Sequence, residues 1–263
     1  MTLFTPHHLL YSLCGFLVGL LVGQTGVGGG ALMTPLLVLL FGIHPTTAVG
    51  TDLLFACSTK SIGTLVHGLN RTVDWRIVAR LAAGSVPGTL LTLLAMSSAG
   101  WVGGGNANHL ISVILGIALM LTAVSLVFRP RVVAFVARLS QGRPARHTVA
   151  LTIATGAILG VLVTISSVGA GALGVTALLL LYPRLATPTI VGSDIAHAVP
   201  LTLVAGVGHV WLGAVDWVLL VSLLMGSIPG IAVGSHLSAR VPDAALRMML
   251  ASVLALVGVR LAF

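Results

Sequence analysis

The chain has 263 residues, of which 57% are hydrophobic and only 7% charged. A soluble domain carries about a quarter charged residues, so these proportions exclude a soluble fold and indicate an all-α integral membrane protein. The formal charge of +8 is no argument for nucleic acid, because most of the arginines lie in short loops between apolar runs, where they act as topology signals.

Met1 to His8 hold no Lys or Arg, and no clear cleavage site follows the first apolar run, so that run is expected to stay in the mature chain. It covers about 9–24, and a second run covers about 30–41. Between them lies Gly26-Val27-Gly28-Gly29-Gly30. A spanning helix needs about 20 apolar residues and the hydrocarbon core is about 30 Å thick. The second run reaches only about 18 Å at 1.5 Å per residue. The two therefore read as a helical hairpin, either re-entrant or made of two short passes.

Three runs of spanning length follow, at about 49–69, 77–98 and 108–128, and then a basic stretch over 129–147. A second pair of short runs, about 148–165 and 171–181, is joined by Ser166-Ser167-Val168-Gly169-Ala170-Gly171. Three more long runs complete the chain at about 190–212, 217–236 and 246–263.

Residues 15–88 are echoed by residues 156–230 at an offset of 141 or 142 positions. Gly28 matches Gly169, Gly50-Thr51-Asp52 matches Gly192-Ser193-Asp194, and Val73-Asp74-Trp75 matches Val215-Asp216-Trp217. Gly84-Ser85-Val86-Pro87-Gly88 matches Gly226-Ser227-Ile228-Pro229-Gly230. Charge inverts between the copies. Arg71, Arg76 and Arg80 have no basic counterpart in Leu212 to Asp216, whereas the uncharged loop 99–107 corresponds to one carrying Arg240 and Arg247. Arg184 likewise stands in a turn whose counterpart at 42–47 has no Lys or Arg. The reading is an inverted-topology repeat, each half a broken hairpin plus three transmembrane helices, a frequent architecture of secondary transporters. The first repeat is 1–128, the basic cytoplasmic linker 129–147 and the second repeat 148–263, with both termini outside.

A duplicated, interrupted apolar segment points to a transporter's substrate site. Broken helices at membrane depth expose backbone N–H groups and a positive dipole end, which suit an anion. Thr25, Gly26, Gly28, Gly29 and Gly30 form the first candidate site, and Ser166, Ser167, Gly169 and Gly171 the second. Lys60, the only lysine, lies mid-run, and a charge there is costly and usually functional. It stands eight residues from Asp52, about 12 Å along a helix, too far for a direct pair. Its counterpart is Thr202.

Asp52 and Asp194 fall near the starts of their runs and are expected to be helix N-caps, with proton coupling, aided by His197 three residues after Asp194, as the sharper alternative. His67 and His209 are expected at the interfaces. Trp75 and Trp217 read as interface anchors, and Pro87 and Pro229 as kinks. Cys14 and Cys57 read as small buried hydrophobes rather than disulfide partners or metal ligands. There is no P-loop and no G-x-S-x-G elbow, so no catalytic residue, cofactor or resident metal is expected. A cation or metal transporter using Asp52, Asp194 and the membrane histidines is the alternative.

The chain resembles the sulfite exporter TauE/SafE family of membrane permeases. The resemblance rests on Gly15-x3-Gly19-x3-Gly23 leading into Gly26-Val27-Gly28-Gly29-Gly30-Ala31-Leu32, on Pro35 and Gly42, on Ala48-Val49-Gly50-Thr51, and on Gly84-Ser85-Val86-Pro87-Gly88. The second copy departs from it, with Thr176 in place of Pro35 and a less glycine-rich break. The resemblance implies a multi-pass transporter of the bacterial inner membrane for small sulfur-containing anions such as sulfite, sulfonates or sulfoacetate. The partners expected are that anion, the lipid bilayer and a second copy of the chain as a homodimer, with no nucleic acid.

Overall fold

The computed structural model describes residues 6–25, 30–99, 105–139, 145–237 and 243–262. Among these residues every regular element is an α-helix. The first five are α1 (Pro6–Thr25), α2 (Gly30–Phe41), α3 (Pro45–Leu69), α4 (Trp75–Ser98) and α5 (Gly105–Leu139). The second five are α6 (Ala145–Ser166), α7 (Ala172–Leu181), α8 (Thr187–Trp211), α9 (Trp217–Leu237) and α10 (Asp243–Ala262).

Among the described residues, five segments are long and apolar enough to cross a membrane: Trp75–Ser98, His109–Arg129, His147–Ser166, Thr187–Trp211 and Trp217–Gly234. Helix α3 is 25 residues long but is less apolar, because it carries Asp52, Lys60 and several hydroxyl residues. The two hairpins are less symmetric internally than their apolar runs suggest. α1 has 20 residues and α6 has 22, whereas α2 and α7 have 12 and 10. Each hairpin thus pairs one long arm with one short arm. The basic stretch after residue 128 is also not all loop, since α5 continues to Leu139.

Local chemistry explains the boundaries. Helix α3 opens on Pro45 and α8 on Thr187-Pro188, and proline is well suited to the first helical turn because its missing N–H has no helical partner there. Asp74 caps α4 by accepting from the Arg76 and Ile77 amides, and Asp216 accepts from the Leu219 amide at 3.0 Å at the start of α9. The turns preceding these caps use positive φ at matched positions, Arg71 at 55° and Gly213 at 71°.

Packing between the halves is reciprocal. Helix α1 packs on α9 and α6 on α4, while α3 packs on α8 and α5 on α10. The Asp74 amide donates to Ser193 Oγ at 2.9 Å, and the matched Asp216 amide donates to Thr51 Oγ1 at 3.1 Å. A Cβ built on Gly50 would meet the Ala214 carbonyl and His209, and one built on Gly192 would meet the Thr72 carbonyl and His67. The start of α3 therefore lies against the end of α8, and the start of α8 against the end of α3. Each half completes the turn of the other.

The largest buried apolar cluster joins both halves. It includes Val18, Met33, Leu37 and Phe55 with Leu115, Leu119, Leu223 and Leu254. Outward faces carry exposed Leu, Ile and Val, for example on α4 and α9, as lipid-facing helices require. Trp75 and Trp217 stand exposed at the first residues of α4 and α9, consistent with anchoring. Pro87 and Pro229 lie inside those helices.

Candidate functional site

The break between α6 and α7 is the better described of the two. Ser166 ends α6, and its hydroxyl donates to the Leu162 carbonyl at 2.7 Å while accepting from the Val168 amide at 3.2 Å. Ser167 turns the chain with a φ of 58°, and Gly169 and Gly171 follow at 127° and 129°. Only glycine adopts those last two angles readily, which explains their place in the motif. Helix α7 then begins after Gly171 without any capping side chain. Of its first-turn amides, that of Gly174 donates to the Gly169 carbonyl at 3.1 Å, and those of Ala172 and Leu173 are the donors the helix end offers.

Lys60 reaches into this break from α3. Its ammonium donates to the Ala170 carbonyl at 2.9 Å, and the residue is only 5% exposed. The same ammonium lies within electrostatic reach of Asp194 and Asp52. Asp52 is fully buried and accepts from Thr34 Oγ1 of α2 at 2.5 Å. The Ser167 hydroxyl lies beside the same carboxylate, outside hydrogen-bond geometry, and keeps no other partner. Asp194 is fully buried too. The Gly171 amide and the Arg129 side chain approach it, but neither carboxylate oxygen is held in hydrogen-bond geometry. A Cβ on Gly174 would overlap Asp194 Oδ1, so α7 packs its bare backbone onto this group. His197 is buried, with Nε2 at 2.9 Å from Ser85 Oγ of α4 and Nδ1 unpartnered.

The structure therefore gathers Lys60, Ser167, Gly169, Gly171, Asp52, Asp194 and His197 around one break. Ser166 sits at the same place, but its hydroxyl is engaged with backbone. Of the first candidate break, Gly26, Gly28 and Gly29 lie outside the described residues. Thr25 ends α1 and Gly30 opens α2, and the side chain of Thr25 is likewise outside what is described.

One expectation is corrected. Asp52 and Asp194 are not N-caps, because α3 and α8 begin earlier, at Pro45 and Thr187, with His44 and Ala186 in the cap positions. Both acids are instead buried inside their helices. His209, in the last turn of α8, is fully buried within the protein, its Nδ1 at 3.0 Å from the Ala205 carbonyl. His67 is half-buried beside the Thr72 hydroxyl at 2.8 Å. Three contributors had no assigned role: Thr34, Gly174 and Ser85. Thr34 is the single hydroxyl in the 30–41 run, and Ser85 sits in the duplicated Gly-Ser-x-Pro-Gly motif, so both left a trace. Gly174 left none.

The arrangement offers a buried cation, backbone donors and a hydroxyl without a hydrogen-bond partner in a buried polar space. It holds two carboxylates close to that cation and no group of three or more His, Cys, Asp or Glu ligands among the described residues.

Similarity to known proteins agrees with this picture. Residues 11–261 match the family described as Sulfite exporter TauE/SafE. The probable membrane transporter protein YjnA of Bacillus subtilis (strain 168) is 40% identical over 256 residues, covering 95% of this chain and 97% of that relative. The probable membrane transporter protein YdhB of the same organism is 28% identical over 259 residues, covering 97% of this chain and 100% of that relative. A probable membrane transporter protein of Xylella fastidiosa (strain 9a5c) is 28% identical over 229 residues, covering 86% of this chain and 83% of its own. No solved structure matches the chain. With apolar helices of spanning length and a family match over nearly its whole length, the chain is a multi-pass membrane transporter and belongs to the sulfite exporter TauE/SafE family.

Proposed function

We propose that this transporter carries small sulfur-containing anions of the sulfite, sulfonate or sulfoacetate type across the bacterial inner membrane. The observation that carries the reading is Lys60, the chain's only lysine, buried with its ammonium on the Ala170 carbonyl at 2.9 Å beside the start of α7. An arriving anion substitutes for that carbonyl as the partner of the ammonium. The Ala172 and Leu173 amides at the start of α7 and the Ser167 hydroxyl supply the remaining donors. A charge-assisted bond to an anion is stronger than one to a neutral carbonyl, so the exchange is favourable.

The reading favours an anion over a cation because the space between Asp52 and Asp194 already holds an ammonium. A metal ion entering there meets Lys60 as a like charge.

The reciprocal contacts of α3 with α8 support two halves of opposite orientation. The arginine clusters support residues 129–147 being cytoplasmic and both termini outside. A reporter fused within 129–147 reads as cytoplasmic under this topology, and an external reading contradicts it. Transport itself is tested by loading proteoliposomes with labelled methanesulfonate. Protein-containing vesicles are expected to exchange it faster than protein-free vesicles. Equal rates contradict the reading.

A further inference from the structure

We propose that anion binding at Lys60 takes up one proton, seated on the Asp194 carboxylate, so that anion and proton move together. The inference rests on the anion reading above and extends it to coupling.

Charge counting carries the argument. Asp52 and Asp194 are each 0% exposed, and Lys60 is 5% exposed. The ammonium, within reach of both carboxylates, balances one of the two. A monovalent anion that takes the ammonium as partner withdraws this compensation and adds a negative charge to a buried space. Isolated buried charges are so unfavourable that ionisable groups neutralise instead. One added proton per anion restores the balance. Arg129, which approaches Asp194 from α5, shifts the starting charge but is present before and after, so the difference stays at one.

The other groups facing Asp194 do not change this count. Helix α7 has no titratable residue, and the break contributes the Gly171 amide. Helix α4 reaches the site through Ser85 on His197; its Arg80 bonds Tyr182 at 3.3 Å, and Arg76 lies in its first turn. Helix α8 itself supplies His197.

Geometry assigns the proton to Asp194 rather than Asp52. Asp52 accepts a hydroxyl hydrogen from Thr34, a bond that suits a carboxylate keeping its charge. Asp194 has no oxygen in hydrogen-bond geometry, and His197, three residues on and on the same helix face, keeps Nδ1 unpartnered. A proton fits where a metal ion does not, because the backbone at Gly174 packs directly on Oδ1. In the step itself, a proton from the aqueous phase forms an O–H bond on Asp194 as the anion binds, and returns to water as the anion leaves.

The test is calorimetric titration of methanesulfonate, ionised throughout the working range, into the purified full chain in buffers of different ionisation enthalpy. The dependence of measured heat on buffer enthalpy counts protons. About one proton per anion is expected for the wild type, and close to zero for Asp194→Asn. His197→Gln leaves the charge count unchanged and is expected to retain an uptake of about one, which keeps the proposal testable if Asp194→Asn fails to fold. Wild-type binding with no proton uptake, or loss of uptake in His197→Gln, overturns the assignment of the coupling to Asp194 and leaves the anion reading standing. Absence of methanesulfonate binding at every pH overturns both.

Discussion

Replacing Lys60 with Gln is expected to weaken methanesulfonate binding about tenfold to hundredfold and to reduce its flux through proteoliposomes to near the protein-free rate. The estimate follows from a hydrogen bond to a charged group contributing about 1.5–3 kcal/mol, at about 1.4 kcal/mol per factor of ten. Gln is the informative substitution because it retains an N–H donor for the Ala170 carbonyl, which Lys60 now meets at 2.9 Å. It removes the charge and keeps a donor close to that carbonyl. Met removes both and leaves that carbonyl unpaired, which adds about 1–3 kcal/mol of destabilisation and confuses fold with function. Lys60→Arg keeps the charge on a broader, planar head and is expected to retain binding with altered preference among anions. Calorimetry and vesicle flux measure these effects. An unchanged Lys60→Gln protein contradicts the assignment of the site.

Placing a methyl group at Gly84 or at Gly226 is expected to destabilise the protein by similar amounts, about 1–3 kcal/mol each, the usual range for overpacking. A Cβ at Gly84 would overlap the Ile153 carbonyl of α6, and one at Gly226 the Ser12 carbonyl of α1. Both obstacles are backbone, so no rotamer change relieves them. The positions are counterparts in the repeat, as are Ser12 and Ile153, and the same pattern recurs at Gly15 against Leu223 and Gly156 against Leu81. Such close approach of small residues is how membrane helices gain packing contact without help from water. Gly68 is the control, since a Cβ there meets nothing within 4 Å. Alanine at Gly68 is expected to leave stability unchanged or slightly raised. Thermal unfolding in detergent measures all three. A loss at Gly84 with none at Gly226 contradicts the equivalence of the two interfaces.

These paired contacts show how much was legible beforehand. The 141–142 residue offset reappears as matched packing of α1 on α9 and α6 on α4. The glycines that made the repeat visible in the sequence are the ones that let backbones touch. Lys60, Ser167, Gly169 and Gly171 were readable as site residues because charge and glycine are anomalous inside apolar runs. The N-cap reading of Asp52 and Asp194 failed for an identifiable reason. Apolar content starts near residues 49 and 190, but the helices start at Pro45 and Thr187, since their first turns use polar residues and proline. That shift moves both acids into helix interiors. The lengths of α1 and α6 were underestimated in the same way, because their ends are polar while still helical. The bond from Thr34 to Asp52 and the seat of Asp194 on Gly174 depend on how α2 meets α3 and α7 meets α8. Spacing along one element carries no information about such meetings.

The most direct test of the account is to locate a heavy-atom anion in the protein. Crystals grown with 2-bromoethanesulfonate allow the bromine to be found by anomalous scattering and the sulfonate by its density. The account predicts the sulfonate on the Lys60 ammonium beside the first turn of α7, with the ammonium moved off the Ala170 carbonyl. A bound sulfonate elsewhere, with Lys60 still on Ala170, contradicts it.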